Sequence, residues 1–343
     1  MHNDAGSCLA YSPHDVEEAA RAEDILRIAT IGHRFPDDSV EREALRGTGI
    51  EVLFLGGLAK DTALERAAQA HAVLIGVSFS LNADDLKRLE NCRAIVRYGV
   101  GVDNVDVRAA HSLGITVSNV PDYGIEEVAT HALALLLLFA RGLGTWAEAV
   151  RAGQWGSALP KVRLSRLSNT TLGIIGAGRI GRALLVRARP IWGRILVFDP
   201  WVSVDEIAAM GAEKASLEDL LADSDFVSIH VPLSDDTKGM ISRERLQLLK
   251  RGAVLVNCSR GDVVDEKALQ EYIGGGKIAG AGLDVFASEP PEPNGIASLP
   301  QVWPTPHVAW LSQESIRDLR YKAAEEAGCI LLGKGPRHPI SPA

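Results

Sequence analysis

Short apolar runs alternate with helical segments along most of the chain. Runs of four to seven apolar residues are too short for helices, and unbroken hydrophobicity is typical of strands buried on both faces. Strands that alternate with helices favour parallel sheets covered by helices on both sides. The sequence therefore predicts two α/β units in tandem, each a doubly wound, Rossmann-like parallel sheet. The predicted strands are 25–31, 50–55, 73–77 and 94–98 in the first unit, and 171–175, 195–198, 226–230, 253–257 and 279–285 in the second.

Two longer segments, 124–141 and 312–332, have the apolar content of packed helices, and 1–24 is a polar lead-in without clear periodicity. The chain has 343 residues, which is ample for two domains of about 150 residues each. Its longest apolar run spans nine residues, fewer than the roughly 20 that cross a bilayer. We therefore expect no membrane partner.

Charge and cysteine content narrow the class of protein. The net charge is −8, and no basic face is evident that would bind nucleic acid. The four cysteines lie far apart, without the paired spacing of a zinc site, and we expect them to be reduced thiols. No metal site is predicted. The start of the chain lacks the basic and apolar regions of a secretion signal, so the predicted location is the cytoplasm.

A glycine-rich turn follows the predicted strand 171–175 and opens a helix. In Gly176-Ala-Gly178-Arg-Ile-Gly181, the first glycine permits a tight turn, the second lets the backbone approach a pyrophosphate, and the third allows close helix packing. Asp199 ends the next strand, 18 residues beyond Gly181, where its carboxylate can accept hydrogen bonds from both ribose hydroxyls. No Lys or Arg directly follows Asp199, so NAD is favoured over NADP.

Three further polar clusters follow strands or lie near the end of the second unit. Arg260 comes after strand 253–257, Glu289 follows strand 279–285, and His307 lies in a proline-bounded loop. Ligands of doubly wound sheets bind at the carboxyl ends of strands, so these side chains are candidates for chemistry.

In this order the motifs resemble those of the D-isomer-specific 2-hydroxyacid dehydrogenases. The resemblance runs from about residue 90 to 315, and its linked motifs are far more specific together than any one alone. The motifs are Gly176-x-Gly178-x-x-Gly181, His230-x-Pro232-Leu233, Asn257-x-x-Arg260-Gly261, Asp284-x-Phe286-x-x-Glu289-Pro290 and Pro306-His307.

The resemblance implies a role for each matching residue. His307 would be the general acid/base, Glu289 would pair with its imidazolium, and Arg260 would bind the substrate carboxylate and carbonyl oxygen. Asp284 would hold the nicotinamide carboxamide. The loop that begins Arg97-Tyr98-Gly99-Val100 would bind the carboxylate through its N–H groups. The expected cofactor-binding residues are Gly176, Gly178, Arg179, Ile180, Gly181, Asp199, His230, Val231, Pro232, Cys258 and Asp284.

Trp310 stands where many family members have a small residue, and its surroundings resemble the C-terminal-binding-protein branch, corepressors that keep the dehydrogenase fold. The indole either narrows the substrate pocket or packs between the domains. The leading hypothesis is an NAD-dependent dehydrogenase of a small 2-hydroxy acid. The alternative is an NADH-sensing binding protein with little turnover. The substrate stays open among phosphoglycerate, glycerate or glyoxylate, and a longer apolar acid.

The resemblance also implies how the two domains share the chain. An NAD-binding domain, 121–307, would interrupt a substrate domain made of 1–120 and 308–343. A homodimer is expected, with the helix at 124–141 contributing to it. The final helix, 312–332, would then belong with the first unit.

Overall fold

The chain folds into two compact units, each built around one parallel sheet. The computed structural model describes residues 25–342 except 161 and 163. One unit runs up to Gly124 and resumes at Ser312, and the other is Ile125–Leu311. Both junctions lie four residues beyond the predicted boundaries, because each falls where a long helix begins.

The first unit contains a five-stranded parallel sheet with the strand order β2-β1-β3-β4-β5. The predicted strands are present, and a fifth, short strand was missed. The strands are β1 (Arg27–Ile31), β2 (Glu51–Phe54), β3 (Ala72–Ile75), β4 (Ala94–Arg97) and β5 (Thr116–Ser118). The helices are α1 (Ser39–Ala44), α2 (Lys60–Ala67), α3 (Ala83–Lys87), α4 (Val107–Ser112) and, numbered in chain order after those of the other unit, α12 (Gln313–Leu331).

The second unit contains a seven-stranded parallel sheet, ordered β12-β11-β10-β9-β6-β7-β8. The strands are β6 (Thr171–Ile175), β7 (Arg194–Phe198), β8 (Glu213–Lys214), β9 (Phe226–Ile229), β10 (Val254–Asn257), β11 (Gly280–Leu283) and β12 (Val302–Pro304). The helices are α5 (Ile125–Arg141), α6 (Leu143–Arg151), α7 (Arg179–Ala188), α8 (Val204–Ala209), α9 (Leu217–Asp223), α10 (Arg243–Leu248) and α11 (Glu266–Gly274). Short 3₁₀ turns lie at Gly156–Ala158, Leu167–Asn169, Gly261–Val263 and Ile296–Ser298.

Each sheet is buried on both faces, as the apolar runs predicted. In β10, Leu255 and Val256 are both fully buried, yet they belong to different hydrophobic clusters. Successive side chains of a strand point to opposite faces, so each cluster fills one side of the second sheet. A third cluster, around Leu64 and Ile95, forms the core of the first unit. The two-domain, Rossmann-like prediction is confirmed.

Side-chain caps fix where several helices begin. Asn82, the N-cap of α3, accepts hydrogen bonds from the backbone N–H groups of Asp84 and Asp85, and the Asp85 carboxylate accepts one in return from the Asn82 N–H. Ser312 makes the equivalent box with Ser315 at the start of α12. Such caps satisfy N–H groups that a helix leaves without partners.

Within the described residues, no single helix has the length and apolar content to cross a bilayer, although the successive helices α5 and α6, bent by 62°, pass such a test as a pair.

Cys92 and Cys258 are free thiols, whereas Cys329 is disulfide-bonded. The expectation of reduced thiols is therefore wrong at Cys329. Cys8 and the predicted lead-in 1–24 lie outside the described residues.

Candidate active site

The order of strands in the second sheet creates a ligand-binding edge. From β6, the chain goes first to β7 on one side and later to β9 on the other. At such a reversal the loops after the two central strands diverge, leaving a crevice beyond their carboxyl ends. The glycine-rich loop follows β6, and His230 follows β9. The predicted cofactor motif therefore lies at the position where doubly wound sheets bind dinucleotides.

Three glycines shape this loop in distinct ways. Gly176 has a φ of +96°, a conformation that L side chains rarely adopt. A Cβ on Gly181 would lie 1.9 Å from the Gly176 carbonyl oxygen, so only glycine lets the helix pack this closely. Gly178, the N-cap of α7, faces open space and offers no side-chain cap. The N–H groups at the start of this helix are thus open to a phosphate.

Asp199 lies beside the glycine-rich loop. One carboxylate oxygen, Oδ2, accepts a hydrogen bond from the N–H of Ala177 at 2.8 Å, and the other, Oδ1, accepts one from the N–H of Trp201 at 2.9 Å. The carboxylate is thereby fixed next to the turn that would receive the pyrophosphate. Together, the loop and this acid fit a dinucleotide, as the sequence motif predicts.

His230 and Cys258 are half-buried residues whose ionisable groups have little tendency to charge near neutral pH. Burial lowers the pKa of His230 to about 4, so its imidazole is neutral near pH 7. Its Nε2 is 2.8 Å from the Ser228 hydroxyl. Burial and, second to it, the Asp284 charge raise the pKa of the Cys258 thiol, which excludes it as a nucleophile near neutrality. Both residues are suited to lining a site and neither to acid/base work.

His307 and Glu289 form the candidate acid/base pair. His307 Nδ1 and Glu289 Oε2 are 2.8 Å apart, and each side chain remains about one-third exposed. Burial alone would raise the pKa of Glu289, but the hydrogen bond and charge of His307, the Phe286 N–H and the Arg260 charge outweigh it and hold the pKa below its usual range. The carboxylate is therefore ionised near neutrality. Nε2 of His307 makes no hydrogen bond to the described residues.

The buried Asp284 fixes the loop that carries His307. Its side chain is 1% exposed. Its carboxylate accepts three hydrogen bonds and its carbonyl a fourth, so the loop has little freedom to move the imidazole. The donors to the carboxylate are the Thr305 hydroxyl (2.6 Å), the Val308 N–H (2.9 Å) and the Ala309 N–H (2.9 Å), and the donor to the carbonyl is the His307 N–H (2.9 Å). The carboxamide-binding role implied by the resemblance stays a prediction.

Two aromatic side chains add to this support. Trp310 Nε1 donates to the carbonyl oxygen of His307 at 3.1 Å, so the indole supports the loop that carries His307 within its own unit. His131, on α5, places Nε2 3.1 Å from the Thr305 hydroxyl. No sequence motif includes His131, so its contact with Thr305, 174 residues away along the chain, was not predicted.

Arg260 extends from the carboxyl end of β10. The Asn257 side chain donates to the Arg260 carbonyl at 2.8 Å, and Arg260 Nη1 donates to the Ser259 carbonyl at 2.8 Å. A Cβ on the adjacent Gly261 would lie 2.0 Å from the carbonyl carbon of Phe286, so this segment packs against the one that leads to Glu289. The Arg260 charge also lowers the pKa of Glu289. Arg260, Glu289 and His307 thus belong to one cluster.

The other predicted substrate residues lie at the end of β4 and in the loop after it, in the first unit. Arg97 and Tyr98 are buried, whereas Val100 is exposed. Gly99 has a φ of +144°, and a Cβ there would collide with the Arg97 guanidinium. The hydroxyl of Tyr98 donates to Glu41, so this side chain is committed to the interior of its own unit. Within the described ranges no group of three or more metal-ligating side chains is found.

Comparisons with known proteins agree with this geometry. Residues 133–309 match the sequence model of the D-isomer specific 2-hydroxyacid dehydrogenase NAD binding domain. The chain is 39% identical over 285 residues to a glyoxylate reductase of Korarchaeum cryptofilum, covering 82% of this chain and 86% of that protein. It is 35% identical over 285 residues to a D-3-phosphoglycerate dehydrogenase of Methanocaldococcus jannaschii, covering 83% of this chain.

The chain spans about half, 54%, of the length of that phosphoglycerate dehydrogenase. Among solved structures, a D-lactate dehydrogenase of Aquifex aeolicus, complexed with NAD and lactic acid, is 26% identical with a TM-score of 0.80. That match covers 92% of this chain and all of the other. With the glycine-rich loop, Asp199 and the paired His307 and Glu289 in place, the chain belongs to the D-isomer-specific 2-hydroxyacid dehydrogenase family and carries its nicotinamide-cofactor-binding domain.

Proposed function

We propose that this protein catalyses the reversible, NAD-dependent reduction of a small 2-oxo acid to a D-2-hydroxy acid. The observation that carries the proposal is the 2.8 Å contact between His307 and Glu289, in a loop fixed by the buried Asp284. Acid/base catalysis needs a proton carrier in a fixed position, with a counter-charge that stabilises its cationic form. The relatives, among them a glyoxylate reductase, support the same chemistry.

The roles follow from the donors and charges present. His307, through Nε2, protonates the 2-oxo oxygen during reduction and removes the proton from the hydroxyl during oxidation. Glu289, ionised by its surroundings, stabilises the imidazolium. Arg260 binds the substrate carboxylate and polarises the carbonyl with a planar, permanently charged group. The cofactor, when bound, supplies or accepts the hydride. The glycine-rich loop, Asp199 and the segments after β9 and β10 would hold it.

We propose NAD rather than NADP as the cofactor because Asp199 would repel a 2′-phosphate. Asp199→Asn keeps an acceptor for the Ala177 N–H while removing the charge. We expect this variant to lower the ratio of kcat/KM with NADH to kcat/KM with NADPH by about tenfold or more, since a unit charge at contact distance is worth several kcal/mol near a protein surface. Steady-state rates with each cofactor measure the ratio. An unchanged ratio would remove Asp199 from the discrimination.

The test of the proposed function is a substrate panel. Purified protein and NADH are mixed with glyoxylate, hydroxypyruvate, 3-phosphohydroxypyruvate, pyruvate and longer apolar 2-oxo acids, and the NADH absorbance is followed. We expect loss of absorbance with at least one of them. Tight NADH binding without turnover on any acid would count against the proposal. The homodimer, the cytoplasmic location and the alternative role as an NADH-sensing binding protein stay predictions from the sequence.

A further inference from the structure

The loop after β4 has its carbonyl groups fixed and two of its N–H groups open. Three donors, all from the same unit, hold the three successive carbonyls. The N–H groups of Val100 and Gly101 donate no hydrogen bond within the described part of the chain. Adjacent backbone N–H groups that have no acceptor within the protein form the kind of concavity that binds anions. The three contacts are Arg97 Nη1 to the Tyr98 carbonyl (2.5 Å), the Val120 N–H to the Gly99 carbonyl (3.0 Å) and Asn119 Nδ2 to the Val100 carbonyl (2.5 Å).

The Tyr98 side chain anchors this loop to the interior of the first unit. It is 3% exposed, and its hydroxyl donates to Glu41 Oε1 at 2.8 Å. Burial, and after it the Glu41 charge, raise the pKa of Tyr98 well above its ordinary value, so the hydroxyl stays a donor at any physiological pH. A hydrogen bond to a buried carboxylate is stronger than one between neutral groups.

Glu41 is in turn fixed by Arg320 from the last helix. Arg320 Nη2 is 2.6 Å from Glu41 Oε2, and Nε is 2.9 Å from Oε1. The same guanidinium donates to the Asp37 carbonyl at 2.6 Å and lies over the Phe35 ring. The α1 carboxylate and the α12 guanidinium are 279 residues apart in sequence and both almost fully buried. This buried ion pair therefore fixes the position of the Glu41 carboxylate relative to α12.

A purely stabilising role accounts poorly for this arrangement. Buried ion pairs contribute little net stability compared with apolar side chains of the same volume, because both charges must be desolvated. In some proteins the benefit of a buried ion pair is a defined geometry. Here the third member of the cluster, Tyr98, begins the loop that carries the two open N–H groups. The chemistry of those groups is that of a carboxylate receptor.

We propose that Tyr98, Glu41 and Arg320 are positioning residues that aim the Val100 and Gly101 N–H groups at the carboxylate of the substrate. The proposal rests on the proposed function, since it takes the 2-oxo acid as the anion. It makes the C-terminal helix α12, which carries none of the catalytic residues, a determinant of substrate affinity. An interaction made equally with bound substrate and transition state acts on KM rather than on kcat.

The test is Tyr98→Phe, which removes one hydroxyl and leaves the Glu41–Arg320 pair intact. We expect KM for the best 2-oxo acid to rise about tenfold, which corresponds to about 1.4 kcal/mol, with kcat and the Kd for NADH within twofold of wild type. The matched control is Tyr321→Phe, the same change at a tyrosine of α12 outside the Tyr98, Glu41 and Arg320 cluster. For this variant KM, kcat and the Kd for NADH should all stay within twofold of wild type.

The outcomes separate the two proposals. A wild-type protein that turns over no 2-oxo acid overturns the proposed function. A wild-type protein that turns over its substrate, beside a folded Tyr98→Phe protein with an unchanged KM, overturns the positioning role alone. If Tyr98→Phe does not fold, Glu41→Gln replaces it. This variant keeps an acceptor for Tyr98 but loses the charge, and we expect its KM to rise at least threefold. Wild-type KM in a folded Glu41→Gln protein would also overturn the proposal.

Discussion

His307→Asn is expected to lower kcat for 2-oxo acid reduction by about 10²–10⁴-fold, the usual contribution of a positioned acid/base, while NADH binding stays intact. Asparagine is the appropriate replacement because His307 has a φ of +55°. Among non-glycine residues, Asn is one of the few that readily adopts this left-handed conformation. Its amide can still donate to Glu289, so the loop keeps its shape and only the proton carrier is lost.

The matched control for this variant is His111→Asn, at an exposed position on α4. It should leave kcat and the Kd for NADH unchanged. Saturating steady-state kinetics give kcat, and quenching of protein fluorescence gives the Kd. A His307→Asn protein that keeps more than a tenth of wild-type kcat would contradict the assignment of His307 as the acid/base.

Arg260→Lys is expected to lower kcat/KM for the 2-oxo acid by about 10²–10³-fold, as loss of one aligned donor to a developing oxyanion does. Lysine keeps the positive charge, so Glu289 remains ionised. It lacks the planar fork that contacts a carboxylate and a carbonyl oxygen together. The effect therefore reports geometry rather than charge.

Arg243→Lys is the control for this second variant. Arg243 forms an exposed ion pair with Glu271, a kind of contact worth little to stability. We expect wild-type kinetics from it. If Arg260→Lys also has wild-type kcat/KM, the guanidinium does not hold the substrate, and Arg260 is a structural residue of the loop after β10.

The elements formed by long, uniformly apolar runs were predictable, because continuous hydrophobicity in the sequence indicates burial. β6 begins and ends where predicted, and α5 begins one residue later than predicted. The missed strands lack that signal. β8 has two polar residues, Glu213 and Lys214, and pairs at the edge of its sheet. β12 ends in Pro304, which a sequence pattern counts against a strand.

The candidate residues of the site were predictable from the sequence, but the long-range contacts that hold them in place were not. Motif order singled out Arg260, Glu289 and His307 as candidates, because Arg260 and Glu289 each follow a predicted strand and His307 lies in a proline-bounded loop of the same motif series. The hydrogen bonds that the Val308 and Ala309 N–H groups donate to the Asp284 carboxylate cross more than twenty residues of intervening chain. The contact between Glu41 and Arg320 crosses 279. No local pattern encodes such pairs, since they depend on which elements the fold brings side by side.

In the proposed reaction, a hydride from NADH and a proton are delivered to a 2-oxo acid at the site of His307 and Glu289. The most direct test is to incubate the protein with NADH and the best acid of the panel and to quantify the product on a chiral column. We expect one D-2-hydroxy acid to form for each NADH consumed, and none with His307→Asn. NADH loss without a hydroxy acid, or formation of the L enantiomer, would contradict it.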